Sequence, residues 1–233
     1  MTKKQKEHLK QLTDLLLKIT YRLVYPNNTS FGMSSCFLFQ EKQSSDIYVI
    51  TAGHGVPPTG TYIETSERNE EGQPLLINAG TFNIFYNQVD IDFAFSRLPI
   101  KNIQQQLPEG NNVPIFPYQN EFTCAKKDEP YGFAVMNNYE FIKNGDTLLL
   151  HRYLCREMFM ELEKQEEHIN YFKLARKKSD DEYYKGASGS PIVDQEGAIT
   201  SILIGAQGEY LKSFRLDNVN LLSLMHQRIP KPI

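Results

Sequence analysis

The 233-residue sequence has no tryptophan, three cysteines and no long apolar run, and the last two shortages each remove a class of protein. Cys36, Cys124 and Cys155 lie far apart, without the paired spacing of metal knuckles or thioredoxin-like sites, so neither a disulfide framework nor a metal centre is expected. No window approaches the roughly 18 consecutive apolar residues of a membrane-spanning helix. Met1 to Tyr25 carries Lys3, Lys4 and Lys6, but its apolar block is only Leu15-Leu16-Leu17, closely flanked by Asp14 and Lys18, which falls short of a secretory signal. Positive charge is not in excess either. Lys and Arg number 25 against 28 Asp and Glu, a net charge of −3, so no global field holds nucleic acid or an anionic membrane. These shortages lead us to expect a cytoplasmic protein in a reducing compartment, with no nucleic-acid or membrane partner and no cofactor.

What is present is an ordinary globular composition, 40% hydrophobic and 23% charged. The length suits one large domain or two small ones sharing an interface. Leu9, Leu12, Leu16, Ile19 and Leu23 recur at helical spacing, with Lys6, Lys10, Gln11 and Lys18 opposite, so an amphipathic lead helix is expected over 1–25, ended by Pro26. From Phe31 the texture changes to short apolar or alternating runs between turn formers: Cys36 to Gln40, Ile47 to Thr51, Gly60 to Ile63, Leu75 to Ile77, Phe82 to Tyr86 and Phe93 to Leu98. Leu98 to Phe122, with Pro99, Pro108, Pro114 and Pro117 among Gln and Asn, reads as a link between two halves. The β texture then resumes at Gly132 to Met136, Thr147 to Tyr153, Tyr171 to Ala175, Pro191 to Val193, Ala198 to Gly205 and Tyr210 to Phe214. Charge-rich Arg156 to His168 reads as a short helix or a protruding loop, and Val219 to Gln227 as a closing helix. The units expected are thus 1–25, 26–115 and 116–233.

Of the five histidines, His8, His151, His168 and His226 have no neighbouring pattern that gives them a task. His54 follows the apolar run Ile47-Tyr48-Val49-Ile50 within Thr51-Ala52-Gly53-His54, where small residues leave room for other groups to crowd the ring. A second constellation is Gly186-Ala187-Ser188-Gly189-Ser190-Pro191-Ile192-Val193, a tight turn running into an apolar strand. A serine hydroxyl is a poor nucleophile until a base takes its proton, and the oxyanion then formed needs donors already aimed at it. The Gly186 and Ser188 N–H groups are candidates for those donors. Asp92, opening the alternating strand Asp92-Phe93-Ala94-Phe95, is placed to hold one imidazole nitrogen and leave the other for the serine. Asp90 is the competing carboxylate. Each piece alone also reads blandly, as a structural histidine, a turn aspartate and a hairpin turn. Together their chain order, His then Asp then Ser, differs from the α/β-hydrolase and subtilisin orders.

Through these three motifs the sequence resembles the trypsin-like (chymotrypsin-fold) serine peptidases, closer to bacterial, disulfide-free members than to digestive enzymes, over about residues 30 to 215. The resemblance implies a mainly β fold of two six-stranded antiparallel β-barrels, with the N-terminal helix and a short C-terminal helix added. It implies His54 as general base, Asp92 as its orienter, Ser188 as nucleophile, and Gly186 with Ser188 as oxyanion donors. The activity implied is that of a serine endopeptidase working through an acyl-enzyme on protein or peptide substrates. A narrow processing role on a companion or regulatory protein is one form of it, and a catalytically silent peptide-binding module is the alternative.

Gly55 stands where secreted relatives often carry a disulfide cysteine, and Ala187 where zymogen-type relatives carry an aspartate that pairs with a freed N-terminus. Activation by such an ion pair is therefore not expected. Six residues before Ser188, at the floor of the specificity pocket in the family, stands Glu182 beside Asp180 and Asp181. An acidic floor favours Lys or Arg before the cut, although the stretch also reads as a solvated acidic loop. Ile204, Gly205 and Ala206 are expected to form one wall.

Overall fold

The computed structural model describes residues 3–27, 30–42, 44–68, 71, 74–87, 90–106, 116–144, 147–175, 184 and 186–217. The closing helix expected at Val219 to Gln227 lies outside the described residues, as does Glu182 with its acidic neighbours.

Helix α1 spans Lys3–Ile19. Leu12, Leu16 and Ile19 are buried on its inner face, whereas the lysines stand on the other. The helix ends earlier than its apolar spacing predicts. Strand β1 (Thr20–Asn27) follows without a loop and takes Leu23 and Pro26 with it, because Tyr21 and Leu23 already alternate with Thr20 and Arg22 at the two-residue period of a strand.

The first sheet contains β1, β2 (Ser30–Phe39), β3 (Asp46–Thr51), β4 (Tyr62–Arg68), β5 (Pro74–Asn78), β6 (Phe82–Tyr86) and β7 (Asp92–Pro99). Its hydrogen-bonded order is β5-β4-β1-β2-β3-β7-β6, so among the described residues it is a seven-stranded curled sheet rather than the closed six-stranded barrel expected. Adding β1, unrecognised in the sequence, accounts for the seventh strand. Within the expected link, β7 runs into a short helix α2 (Ile100–Gln104), and Tyr118 bridges to Phe39.

The second sheet does close. Strands β8 (Pro130–Asn144), β9 (Thr147–Gln165), β10 (Ile169–Lys173), β11 (Pro191–Val193), β12 (Ile199–Gln207) and β13 (Tyr210–Arg215) form a barrel ordered β10-β13-β12-β11-β8-β9. Arg156 to His168 is thus mostly strand, neither helix nor loop. Met160 and Leu162 are buried while Phe159, Glu161 and Glu163 face out, a two-residue alternation that the charges obscure.

One core cluster joins the helix and both sheets: Leu16 and Ile19, Phe37, Ile50 and Phe93, then Val193, Ile199, Ile202 and Phe214. The connecting segment adds polar stitches. The Tyr118 N–H donates to the Leu38 carbonyl at 2.7 Å, and the Tyr118 hydroxyl accepts the Ile199 N–H at 3.1 Å. Among the described residues no helix is long and apolar enough to cross a membrane.

Candidate active site

The register of two neighbouring strands brings the first two candidate residues together. β3 and β7 are antiparallel with Thr51 opposite Ala94, and the same register carried on sets Asp92 opposite Gly53, next to His54. The 3-10 turn Gly53–Gly55 that follows β3 rotates the imidazole outward. Gly53 is required by close approach, since a Cβ there would fall 3.0 Å from the carbonyl oxygens of both Phe85 and Phe93.

Asp92 is 8% exposed and receives two hydrogen bonds from the same residue. The His54 backbone N–H donates to Oδ1 at 2.9 Å, and the ring Nδ1 lies 2.6 Å from Oδ2. A carboxylate can only accept, so Nδ1 carries the proton in this pair and Nε2 presents its lone pair to the other side. Ser188 Oγ lies there, 3.0 Å from Nε2, after a separation of 134 residues. Asp90 does not reach the ring; it bonds to Asn87 in the turn before β7.

Ser188 is held in a turn that enters β11. Gly186 and Gly189 adopt φ of +81° and +90°, the left-handed region where a Cβ is unfavourable. A Cβ on Gly189 would lie 2.0 Å from the Ser35 carbonyl oxygen and 2.3 Å from Thr51 Oγ1, so only glycine lets the loop approach β2 and β3 so closely. The Ala187 N–H donates to Tyr184 O (2.9 Å), the Gly189 N–H to Leu203 O (2.7 Å) and the Ser190 N–H to Ala187 O (2.9 Å). Among the described residues no such acceptor takes the N–H of Gly186 or Ser188, which leaves both to meet a ligand.

A cleft of about 250 Å³ opens beside the ring, lined by His54, Tyr86, Asp90, Ile91, Asp92, Ile204 and Lys212. Ile204 thus borders the cleft, while Gly205 and Ala206 continue along β12; a Cβ on Gly205 would meet nothing within 4 Å. Tyr86, with its ring centroid 6.3 Å from that of His54, and Lys212 were not anticipated. Lys212 carries no local motif and is brought to the cleft only by barrel closure. Gly55 faces Ser34 closely: a Cβ on the glycine would sit 3.2 Å from Ser34 Cβ, so small uncharged residues occupy the place where a disulfide was expected to be missing.

No protein-family model and no curated protein matches the chain. Solved structures do. Mouse neuropsin, a serine protease expressed in the limbic system of the brain, aligns over 88% of this chain and 92% of its own at 12% identity, with a TM-score of 0.56. An inactivated protease paralogue of the scabies mite aligns over 92% of both chains at 13% identity and a TM-score of 0.56. Catalytically active tobacco etch virus protease, complexed with product, aligns over 92% of this chain and 79% of its own at 12% identity, with a TM-score of 0.52. At these identities the likeness establishes architecture, and the architecture is the chymotrypsin fold.

Proposed function

We propose that the protein is a serine endopeptidase that hydrolyses protein or peptide substrates through an acyl-enzyme. The observation that carries the reading is the continuous chain Asp92 Oδ2, His54 Nδ1, His54 Nε2 and Ser188 Oγ, with spacings of 2.6 and 3.0 Å at its two junctions. In this reading Ser188 Oγ attacks the peptide carbonyl carbon as its proton passes to His54 Nε2. The carbonyl electron pair moves onto oxygen, where the Gly186 and Ser188 N–H groups receive it. Collapse of that intermediate breaks the C–N bond, and the departing amine takes the proton from Nε2. Water then repeats the sequence on the ester, with His54 again as base, releasing the acid and restoring Ser188. Asp92 keeps Nδ1 protonated throughout and opposes the charge on the imidazolium.

Preference for Lys or Arg before the cut belongs to this proposal and rests on Glu182 in the sequence, with Ile204, Gly205 and Ala206 along the opposite wall. So does a narrow processing role on a companion protein. The division into 1–25, 26–115 and 116–233 is proposed in amended form: β1 pairs with β2 and β4, which moves the first sheet's start to Thr20. A fluorophosphonate probe tests the central claim. It should label the wild type and leave Ser188→Ala unlabelled. The likeness to an inactivated paralogue favours the silent peptide-binding module as second reading, and absence of labelling and of peptide hydrolysis would establish that one instead. Peptides differing only before the cut test the basic preference, which fails if Leu or Phe substrates outrun Arg. Mass-spectrometric profiling of new N-termini tests the narrow role, which fails if many unrelated proteins are cut alike.

A further inference from the structure

We infer that Ser35 is a positioning residue that holds the nucleophile loop in the conformation able to receive an oxyanion; the inference rests on the peptidase reading above. Ser34 and Ser35 are consecutive buried serines in the middle of an apolar strand, where a hydroxyl without a partner is unfavourable. Ser35 is 1% exposed and uses all three of its polar groups on the site. Its Oγ donates to the Gly186 carbonyl at 2.7 Å, and its N–H donates to the Ser188 carbonyl at 2.8 Å. Its own carbonyl accepts from Thr51 Oγ1 at 2.7 Å, three residues before His54. One residue of β2 therefore fastens the serine loop to the segment that bears the base.

The consequence follows peptide by peptide. The 188–189 unit is tied at both ends, its carbonyl to the Ser35 N–H and its N–H to Leu203 O. The 187–188 unit, which carries the Ser188 N–H, is fixed through its carbonyl by the Ser190 N–H. The 186–187 unit is tied through its N–H to Tyr184 O and through its carbonyl only to Ser35 Oγ. Gly186 is the one residue of this stretch free to turn, having no Cβ and sitting at φ +81°. Ala187 at the centre of the loop is a buried methyl and offers no polar tether. With Ser35 Oγ removed, the Gly186 carbonyl loses its partner and the glycine can rotate, which swings its N–H away from the place where negative charge develops. That harms the transition state and leaves ground-state binding intact, so the signature is kinetic.

The experiment compares wild type, Ser35→Ala and Ser35→Cys by steady-state peptide hydrolysis, by affinity for a peptide aldehyde that forms a tetrahedral adduct with Ser188, and by thermal unfolding. Ser35→Ala should lower kcat about 10- to 100-fold with KM within about twofold, and aldehyde affinity should fall by the same factor as kcat. Ser35→Cys keeps the volume but offers only a weak donor, so it should track the alanine variant; if Ser35→Ala does not fold, the cysteine variant carries the comparison. Unchanged kcat and aldehyde affinity, a rise in KM alone, or full recovery in Ser35→Cys would each overturn the inference while leaving the peptidase reading in place. A wild type that neither hydrolyses peptides nor accepts the fluorophosphonate overturns that reading, and this inference with it.

Discussion

Replacing Asp92 by asparagine keeps the side chain's shape and removes one charge and one acceptor, which makes it the sharpest probe of the proposed mechanism. The geometry dictates how the amide must sit. Asp92 Oδ1 takes the His54 backbone N–H at 2.9 Å, and a backbone amide cannot change its proton, so the asparagine oxygen must occupy that position. Its NH2 then faces Nδ1 at the 2.6 Å contact and forces that nitrogen to accept. The ring proton moves to Nε2, which now donates toward Ser188 Oγ instead of accepting from it, and the base is disabled. A second loss adds to the first. A carboxylate about 4 Å from an imidazolium is worth on the order of 4 kcal/mol at an effective dielectric constant near 20, about a thousandfold in rate. Together these give an expected fall in kcat/KM of about 10³–10⁴. The rate of fluorophosphonate labelling should fall in parallel, and urea unfolding should change little. Asp90→Asn is the matched control: its carboxylate bonds to Asn87 rather than to the ring, and activity should stay within about threefold of the wild type. The reasoning is refuted if Asp92→Asn retains more than about a tenth of wild-type kcat/KM, or if the two variants behave alike.

Further perturbations test the scaffold. Gly189→Ala forces a Cβ to within 2.0 Å of the Ser35 carbonyl oxygen at φ +90°, and should destabilise the protein by about 3 kcal/mol or more in urea unfolding; a loss below about 1 kcal/mol would show that the loop relaxes freely. Arg22 and Glu64 face each other at 3.5 Å, only 1% and 2% exposed, so Glu64→Gln removes an anion opposite a buried guanidinium. It should lose about 3–5 kcal/mol, and a change under about 1 kcal/mol would mean the pair is not coupled. Burial pushes the Tyr21 and Tyr131 hydroxyls up to about 12, and burial raises the Cys36 thiol as well. A raised folded-state value means the unfolded chain ionises first, so stability is full below about pH 10 and should fall as pH climbs toward 12, by at most about 1.4 kcal/mol per pH unit per tyrosine. Unfolding free energies that stay level between pH 10 and 11.5 would contradict this.

How much of this was legible in the sequence depended on whether a feature is chemical or geometric. His54, Asp92 and Ser188 could be read because each lies in a short motif whose residue types answer a chemical demand: small neighbours around a ring, a carboxylate opening a strand, glycines around an exposed hydroxyl. The lead helix was legible from the spacing of Leu12, Leu16 and Ile19, but its end was not. Leu23 satisfies both the helical period and the strand period, and only the aromatic and β-branched character of Thr20, Tyr21, Val24 and Tyr25 favours the strand. Arg22 hid the same strand, since a charged residue reads as exposed and this one is buried against Glu64. In Arg156 to His168 the charges masked the inward Met160 and Leu162. Strand order, and whether a sheet closes, is set by pairings far apart in the chain, which local periodicity does not carry.

The same division explains why Ser35 escaped notice while the residues it holds did not. A nucleophile or a base is identified by what its side chain does, and very few side chains can do it. The competence of the site depends equally on carbonyls and N–H groups, which every residue except proline owns in the same kind. Their placement comes from the β3–β7 register, from two glycines at positive φ, and from a strand of the first sheet lying against a loop of the second. A hydroxyl that fastens such a backbone group is visible in sequence only as an oddity, here two serines where an apolar strand wants Val or Ile. A buried polar residue inside an otherwise apolar run, in a chain that already shows a separate catalytic motif, is therefore the signal to follow: its hydroxyl must have a partner, and the backbone of the site is where unsatisfied partners are concentrated.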